Sequence, residues 1–161
     1  MSRSEQAIFT NLCMVYDHAG NILVQDRLDP QWPGITFPGG HVERGESFTD
    51  SVIREVYEET GVRYEIEKLA VVHENFFDGK GGVLDGLSCH EICLYYLMKP
   101  RGTKELCSNS FTNGVGEDMH WIPIKDLDKY KAFPSFMKEY LSLEHEGIEH
   151  IITDERLKNI L

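Results

Sequence analysis

The chain has 161 residues, 41% of them hydrophobic and 27% charged, with a formal net charge of −11. That length suits one domain burying roughly 70% of the surface its unfolded chain exposes, and the composition excludes a disordered or fibrous protein. The negative charge disfavours non-specific attraction to nucleic acid or anionic lipid. A phosphate substrate would need divalent cations between it and so acidic a surface.

Residues 1–6 are short and polar and lack the basic and apolar regions of a secretory signal, and no apolar run approaches the roughly 18 residues of a membrane span. A cytoplasmic protein is expected. Residues 7–17 and 22–27 are strand-like and flank Asp17-His18-Ala19-Gly20-Asn21, whose turn chemistry predicts a hairpin. Pro30, Pro33, Gly34, Pro38, Gly39 and Gly40 then reduce residues 29–40 to a loop, a brief strand at Ile35-Thr36-Phe37 and a tight turn. Ser47 followed by Asp50 predicts a helix N-cap, and the periodic run stops at Thr60-Gly61. Residues 64–77 and 88–98 read as strands around the glycine-rich loop at Asp78-Gly79-Lys80-Gly81-Gly82, and residues 119–124 as another strand.

Over residues 134–146, Phe136, Met137, Tyr140, Leu141 and Leu143 have the spacing of a helix packed on a sheet. The tail from Gly147 fits no single element. Strands around two helices predict an α/β fold, a mixed sheet with helices packed on it, in one domain over residues 1–161. Cys13, Cys89, Cys93 and Cys107 form no Cys-x-x-Cys pair and read as reduced thiols, not as a zinc site.

The chemistry concentrates between Gly40 and Val62. On a helix, Glu55, Glu58 and Glu59 fall within about 100° of arc, at positions i, i+3 and i+4 of one face, beside an apolar stripe of Val52, Ile53, Val56 and Tyr57. Carboxylates so close repel one another unless cations neutralise them, and clustered hard oxygens suit Mg²⁺ or Mn²⁺. A bare Glu-x-x-Glu-Glu is more commonly a solvated helix edge.

The surrounding residues decide between these readings. Gly40, Glu46, Arg54, Glu55, Val56, Glu58, Glu59, Gly61 and Val62 stand at every specified position of the Nudix box, which this stretch resembles. Seven exact matches arise by chance on the order of once in 10⁹ starting points. The resemblance is strongest over residues 35–62 and implies a Nudix-type α/β/α sandwich, with the box helix against a mixed sheet, that hydrolyses a nucleoside diphosphate linked to another group. It implies that Glu55, Glu58 and Glu59 hold catalytic Mg²⁺ or Mn²⁺ with the backbone carbonyl of Gly39. Gly40, Glu46, Arg54 and Gly61 would support the box, and Glu55 would be the base or the ligand of the attacking water. A further acidic ligand is expected from a later loop, with Glu117 ahead of Glu91 and Asp118.

Beyond the box, Arg27 is a candidate phosphate contact, and Trp32, Phe76 and Phe77 are candidates for stacking a base. His90 and Glu91 adjoin on a strand and so point to opposite faces, one of them toward the core. The expected partner is a small nucleotide such as an oxidised deoxynucleoside triphosphate, ADP-ribose or a nucleotide sugar, without membrane or long nucleic acid. An RNA 5′-end hydrolase and a nucleotide sensor without turnover are the rival readings, and both monomer and homodimer stay open.

Overall fold

Apolar residues recur on both faces of the first strand, and the fold covers both. The computed structural model describes residues 6–27, 33–101, 111–112, 115–116 and 119–156. In chain order it runs β1 (Gln6–Met14), β2 (Asn21–Arg27), β3 (Gly34–Thr36), β4 (Gly39–His41), α1 (Phe48–Thr60), β5 (Ile66–Asp78) and β6 (Ser88–Met98). There follow β7 (Phe111–Thr112), β8 (Val115–Gly116), β9 (Met119–Pro123), β10 (Ala132–Phe133), α2 (Met137–Leu141) and β11 (Glu149–Asp154). One mixed sheet has the order β11-β5-β6-β1-β4, a second β10-β3-β2-β9, and β7 pairs with β8.

Within the first sheet β1 is interior. It runs parallel to β6, with Thr10 opposite Cys93, and antiparallel to β4, with Thr10 opposite His41. Cys13 and Val15 join Val52 and Val56 of α1 in one buried cluster. Met14 instead faces a second cluster with Ile22, Val24, Ile35, Phe37, Tyr95, Met137 and Tyr140. Complete burial of Val52 and Val56 stabilises the docked helix by about 1.5–3 kcal/mol each. This is the expected mixed α/β architecture, with the box helix packed on a sheet.

Three expectations change in detail. The predicted hairpin closes only at its base: Tyr16 bridges Ile22, the Leu23 N–H donates to the Val15 carbonyl at 2.9 Å, and the Asp17 carboxylate caps the turn by accepting the Ala19 and Asn21 N–H groups. Beyond that the strands part, β1 to the first sheet and β2 to the second, because each has two apolar faces to bury. The second helix is five residues long, shorter than its apolar spacing predicts. Ser142 ends it, its hydroxyl donating to the carbonyls of Lys138 and Glu139 in competition with further helical turns. The tail becomes β11, an edge strand parallel to β5; Ile152 is 60% exposed there, which explains why no clean alternation marks it in the sequence.

Candidate active site

The site is built on α1. The Ser47 hydroxyl accepts the Asp50 N–H at 3.1 Å, fixing where the helix starts, and Gly61 ends it at φ 72°, donating its N–H to Tyr57. With both ends fixed, Val52 and Val56 point into the core. Glu55 is left half-buried and Glu58 exposed, while Glu59 is 5% exposed.

Arg54 organises the acidic edge. Its guanidinium forks onto Glu46, with Nε to Oε1 at 2.8 Å and Nη2 to Oε2 at 2.9 Å. Nη1 reaches Glu55 at 3.0 Å and Glu58 at 3.2 Å, and Nη2 donates to the His41 carbonyl at 3.2 Å. One cation therefore spans three carboxylates, offsetting part of the repulsion expected of the cluster. The Arg54 fork holds the Glu46 carboxyl at about 2, and the Glu46 carboxylate in turn raises the proton affinity of Arg54. Glu55 is shifted upward, chiefly by burial, with Arg54 opposing the shift and the charge on Glu58 adding to it.

The double glycine follows from the same packing. The Gly39 N–H donates to the Glu59 carboxylate at 3.0 Å. Gly39 lies at φ 145°, and a side chain there would collide with the Asn11 carbonyl. At Gly40 a Cβ would sit 2.6 Å from the Glu55 Cδ and 2.7 Å from both carboxylate oxygens. The two consecutive glycines thus lack side chains for different reasons, Gly39 because of its backbone angle and the β1 backbone beside it, Gly40 because of the Glu55 carboxylate.

Sequence reasoning missed how α1 is tied down. Asn11 on β1 donates to the Ser51 hydroxyl at 2.6 Å, and that hydroxyl reaches the His41 carbonyl at 3.3 Å. Neither residue type nor local spacing signals a bond between partners forty positions apart. Cys13 lies beneath the acidic edge; burial, then the charges of Glu59 and Glu55, push its thiol well above its ordinary range. Cys89 and Cys93 are likewise free and buried.

Next to the box, between the two sheets, lies a cavity of about 380 Å³. Gly40 and His41 form the wall it shares with the box, and Thr10, Asn75, Glu91 and Thr153 supply polar groups. Arg27 stands at its rim, the guanidinium 5.5 Å from the Phe133 ring centroid, and Phe77 also faces in, whereas Phe76 stacks on His90 on the other side of the sheet. His90 and Glu91 do diverge, but neither enters the core. His90 bonds Glu74 at 2.9 Å, and Glu91 accepts the Thr10 hydroxyl at 3.0 Å. A second hollow of about 300 Å³, at the other end of β1, has the more apolar walls of Met14, Leu97 and Leu143 and no contact with the box.

Trp32, Cys107, Glu117 and Asp118 lie outside the described residues. Among the described residues no three acidic, His or Cys side chains converge as a finished metal cage. The donor set nevertheless fits a hard divalent cation, being all oxygen. Glu55 and Glu58 already converge on one positive group, the Nη1 of Arg54.

The NUDIX domain family model matches residues 10–143. The protein named mutator MutT4 of Mycobacterium tuberculosis is 34% identical over 98 residues, 61% of this chain and 36% of that protein. An RNA pyrophosphohydrolase of Dinoroseobacter shibae is 36% identical over 61 residues, 38% of this chain and 37% of that one. The chain thus spans little more than a third of the length of either relative. Among solved structures, a MutT NUDIX hydrolase from Burkholderia pseudomallei superposes with a TM-score of 0.66 at 22% identity, covering 86% of this chain and 98% of that one. The family model spans the box and most of both sheets, well over half of the chain, and the chain belongs to the NUDIX domain family.

Proposed function

We propose that this chain, acting as one domain, is a pyrophosphohydrolase that uses Mg²⁺ or Mn²⁺ to cleave the diphosphate linkage of a small nucleoside diphosphate derivative. The observation that carries the reading is the acidic edge of Glu55, Glu58 and Glu59, braced by Arg54 and the two glycines and adjoining a cavity of nucleotide size. Glu55, Glu58 and Glu59, the Gly39 carbonyl and, from the later loop, Glu117 would hold the ion. When bound, it supplies charge neutralisation at the diphosphate oxygens and a lower pKa for the attacking water.

The chain's own residues do the rest. Glu55, half-buried and shifted toward protonation, accepts the proton of the attacking water or orients that water as the new P–O bond forms and the anhydride P–O bond breaks. Glu46 and Arg54 keep the carboxylates from turning away. Arg27, which lines the cavity, would meet a phosphate.

A second reading, hydrolysis at an RNA 5′ end, rests on the name of the Dinoroseobacter relative. The charge of −11 weighs toward a small substrate, since a long polyanion binds through basic surfaces. No helix among the described residues is long and apolar enough to cross a membrane, which suits a cytoplasmic enzyme.

The test is a panel of nucleoside triphosphates, ADP-ribose, nucleotide sugars, dinucleoside polyphosphates and a 5′-triphosphate RNA oligomer, assayed for phosphates released. Turnover of at least one small nucleotide is expected with Mg²⁺ or Mn²⁺, and none in excess chelator. Full turnover in chelator would remove the metal from the account; cleavage of the RNA alone would replace the small substrate.

A further inference from the structure

We infer that Asn11 and Ser51 are positioning residues for the acidic edge: through the His41 carbonyl they set where Arg54 holds Glu55 and Glu58. The inference rests on the reading of that edge as a site for Mg²⁺ or Mn²⁺. Its observations lie beneath the box helix, since Asn11 stands two residues before Cys13 on β1 and shares the face that α1 covers.

Arg54 needs a fixed point. Of the groups it hydrogen-bonds, Glu46, Glu55 and Glu58 are the ends of side chains that can turn. The His41 carbonyl, at 3.2 Å, is main chain, so it is the reference from which the guanidinium places the carboxylates. β4 ends the first sheet. Beside it the Pro38 carbonyl accepts the Cys13 N–H at 2.8 Å and the Val42 N–H donates to the Phe9 carbonyl at 2.9 Å. Alternation along the strand then turns the His41 carbonyl away from β1. Among the described residues its donors are Arg54 and the Ser51 hydroxyl, the latter at 3.3 Å, one for each lone pair.

Asn11 decides which way that hydroxyl points. Its amide nitrogen donates to Ser51 Oγ at 2.6 Å. A hydroxyl has one proton, and with its oxygen accepting from β1, the Ser51 proton is directed outward, to the box loop and the His41 carbonyl. An interior strand is thereby linked through Ser51, His41 and Arg54 to Glu55 and Glu58. Asn11 is fully buried, and its Oδ1 has no hydrogen-bond partner among the described residues. An orphaned buried oxygen costs stability, so stability alone does not account for an amide at this position. Directing Ser51 does. Groups that orient a metal's ligands typically change metal affinity by about 10–100-fold when removed.

The test is titration of the intact protein with Mn²⁺ alone, followed by electron paramagnetic resonance, alongside thermal unfolding. Ser51→Ala leaves the Asn11 amide without its acceptor; the unfolding midpoint should fall and Mn²⁺ should bind about tenfold more weakly. Asn11→Leu combined with Ser51→Ala removes both polar groups, so the midpoint should recover toward wild type while Mn²⁺ binding stays about tenfold weak. Thr60→Ala is the control for damage to the helix, because the buried Thr60 hydroxyl holds the far end of α1 through the Val56 carbonyl and the Val62 N–H. It should lower the midpoint yet keep Mn²⁺ affinity within about twofold. Affinity that recovers together with stability in the pair, or that falls as far in Thr60→Ala, overturns the inference. A wild type that binds no Mn²⁺ removes the metal reading and this inference with it. One that shows the expected affinities but hydrolyses no nucleotide refutes the hydrolase reading alone.

Discussion

Gly39 and Gly40 illustrate how a sequence position is fixed by its neighbour's chemistry. At Gly39 both the backbone angle and the Asn11 carbonyl exclude a side chain, so substitution there strains the fold itself. At Gly40 the nearest obstacle is the Glu55 carboxylate, the end of a side chain and not backbone. Gly40→Ala is therefore expected to leave the unfolding midpoint nearly unchanged and to lower turnover by about tenfold or more, since a displacement of 1 Å at a reacting group can cost a hundredfold. Unchanged kcat in a folded Gly40→Ala variant would show that the position of Glu55 does not matter. The pattern Gly40, Glu46, Arg54 and the glutamates was legible because each contact spans few residues along the chain. Thr10, Asn75, Glu91 and Thr153 were not legible as a group, because only strand pairing brings them to one cavity.

The box helix and the loop before it act as one unit, joined by the Glu46–Arg54 fork and the bond from the Glu43 N–H to Glu46 at 3.0 Å. Glu46 binds protons far less readily in the folded state, near 2 against an ordinary 4.5. Its stabilisation is therefore complete above about pH 4.5 and disappears as pH falls toward 2. In Glu46→Gln no such titration exists. The stability gap between wild type and variant, read from denaturant unfolding, should be constant above about pH 5 and shrink by about half or more by pH 3. A gap that persists to pH 2 would mean that the fork contributes nothing charge-dependent. The helix was legible from its caps and its apolar stripe, both local signals. The hairpin was misread because turn chemistry fixes that Asp17 to Asn21 turns, not which sheet each arm joins, and burial on both faces decides that.

Taken together, the net charge of −11, the two apolar clusters divided by the first sheet and the cavity beside the box describe a scaffold that sets the carboxylates of one helix beside a cavity walled by strands. The central claim is that Glu55, Glu58 and Glu59 are the reaction centre. Its most direct test is kcat on a substrate found in the panel, with Mg²⁺, for single carboxylate-to-amide exchanges. Glu55→Gln, Glu58→Gln and Glu59→Gln should each lose about 10²-fold or more, about 2.7 kcal/mol of barrier reduction. Glu65→Gln, whose carboxylate pairs with Lys99 at 2.9 Å away from the box, and Glu67→Gln should stay within about threefold of wild type. Near-normal turnover in all five variants would contradict the account and place the reaction elsewhere on the molecule.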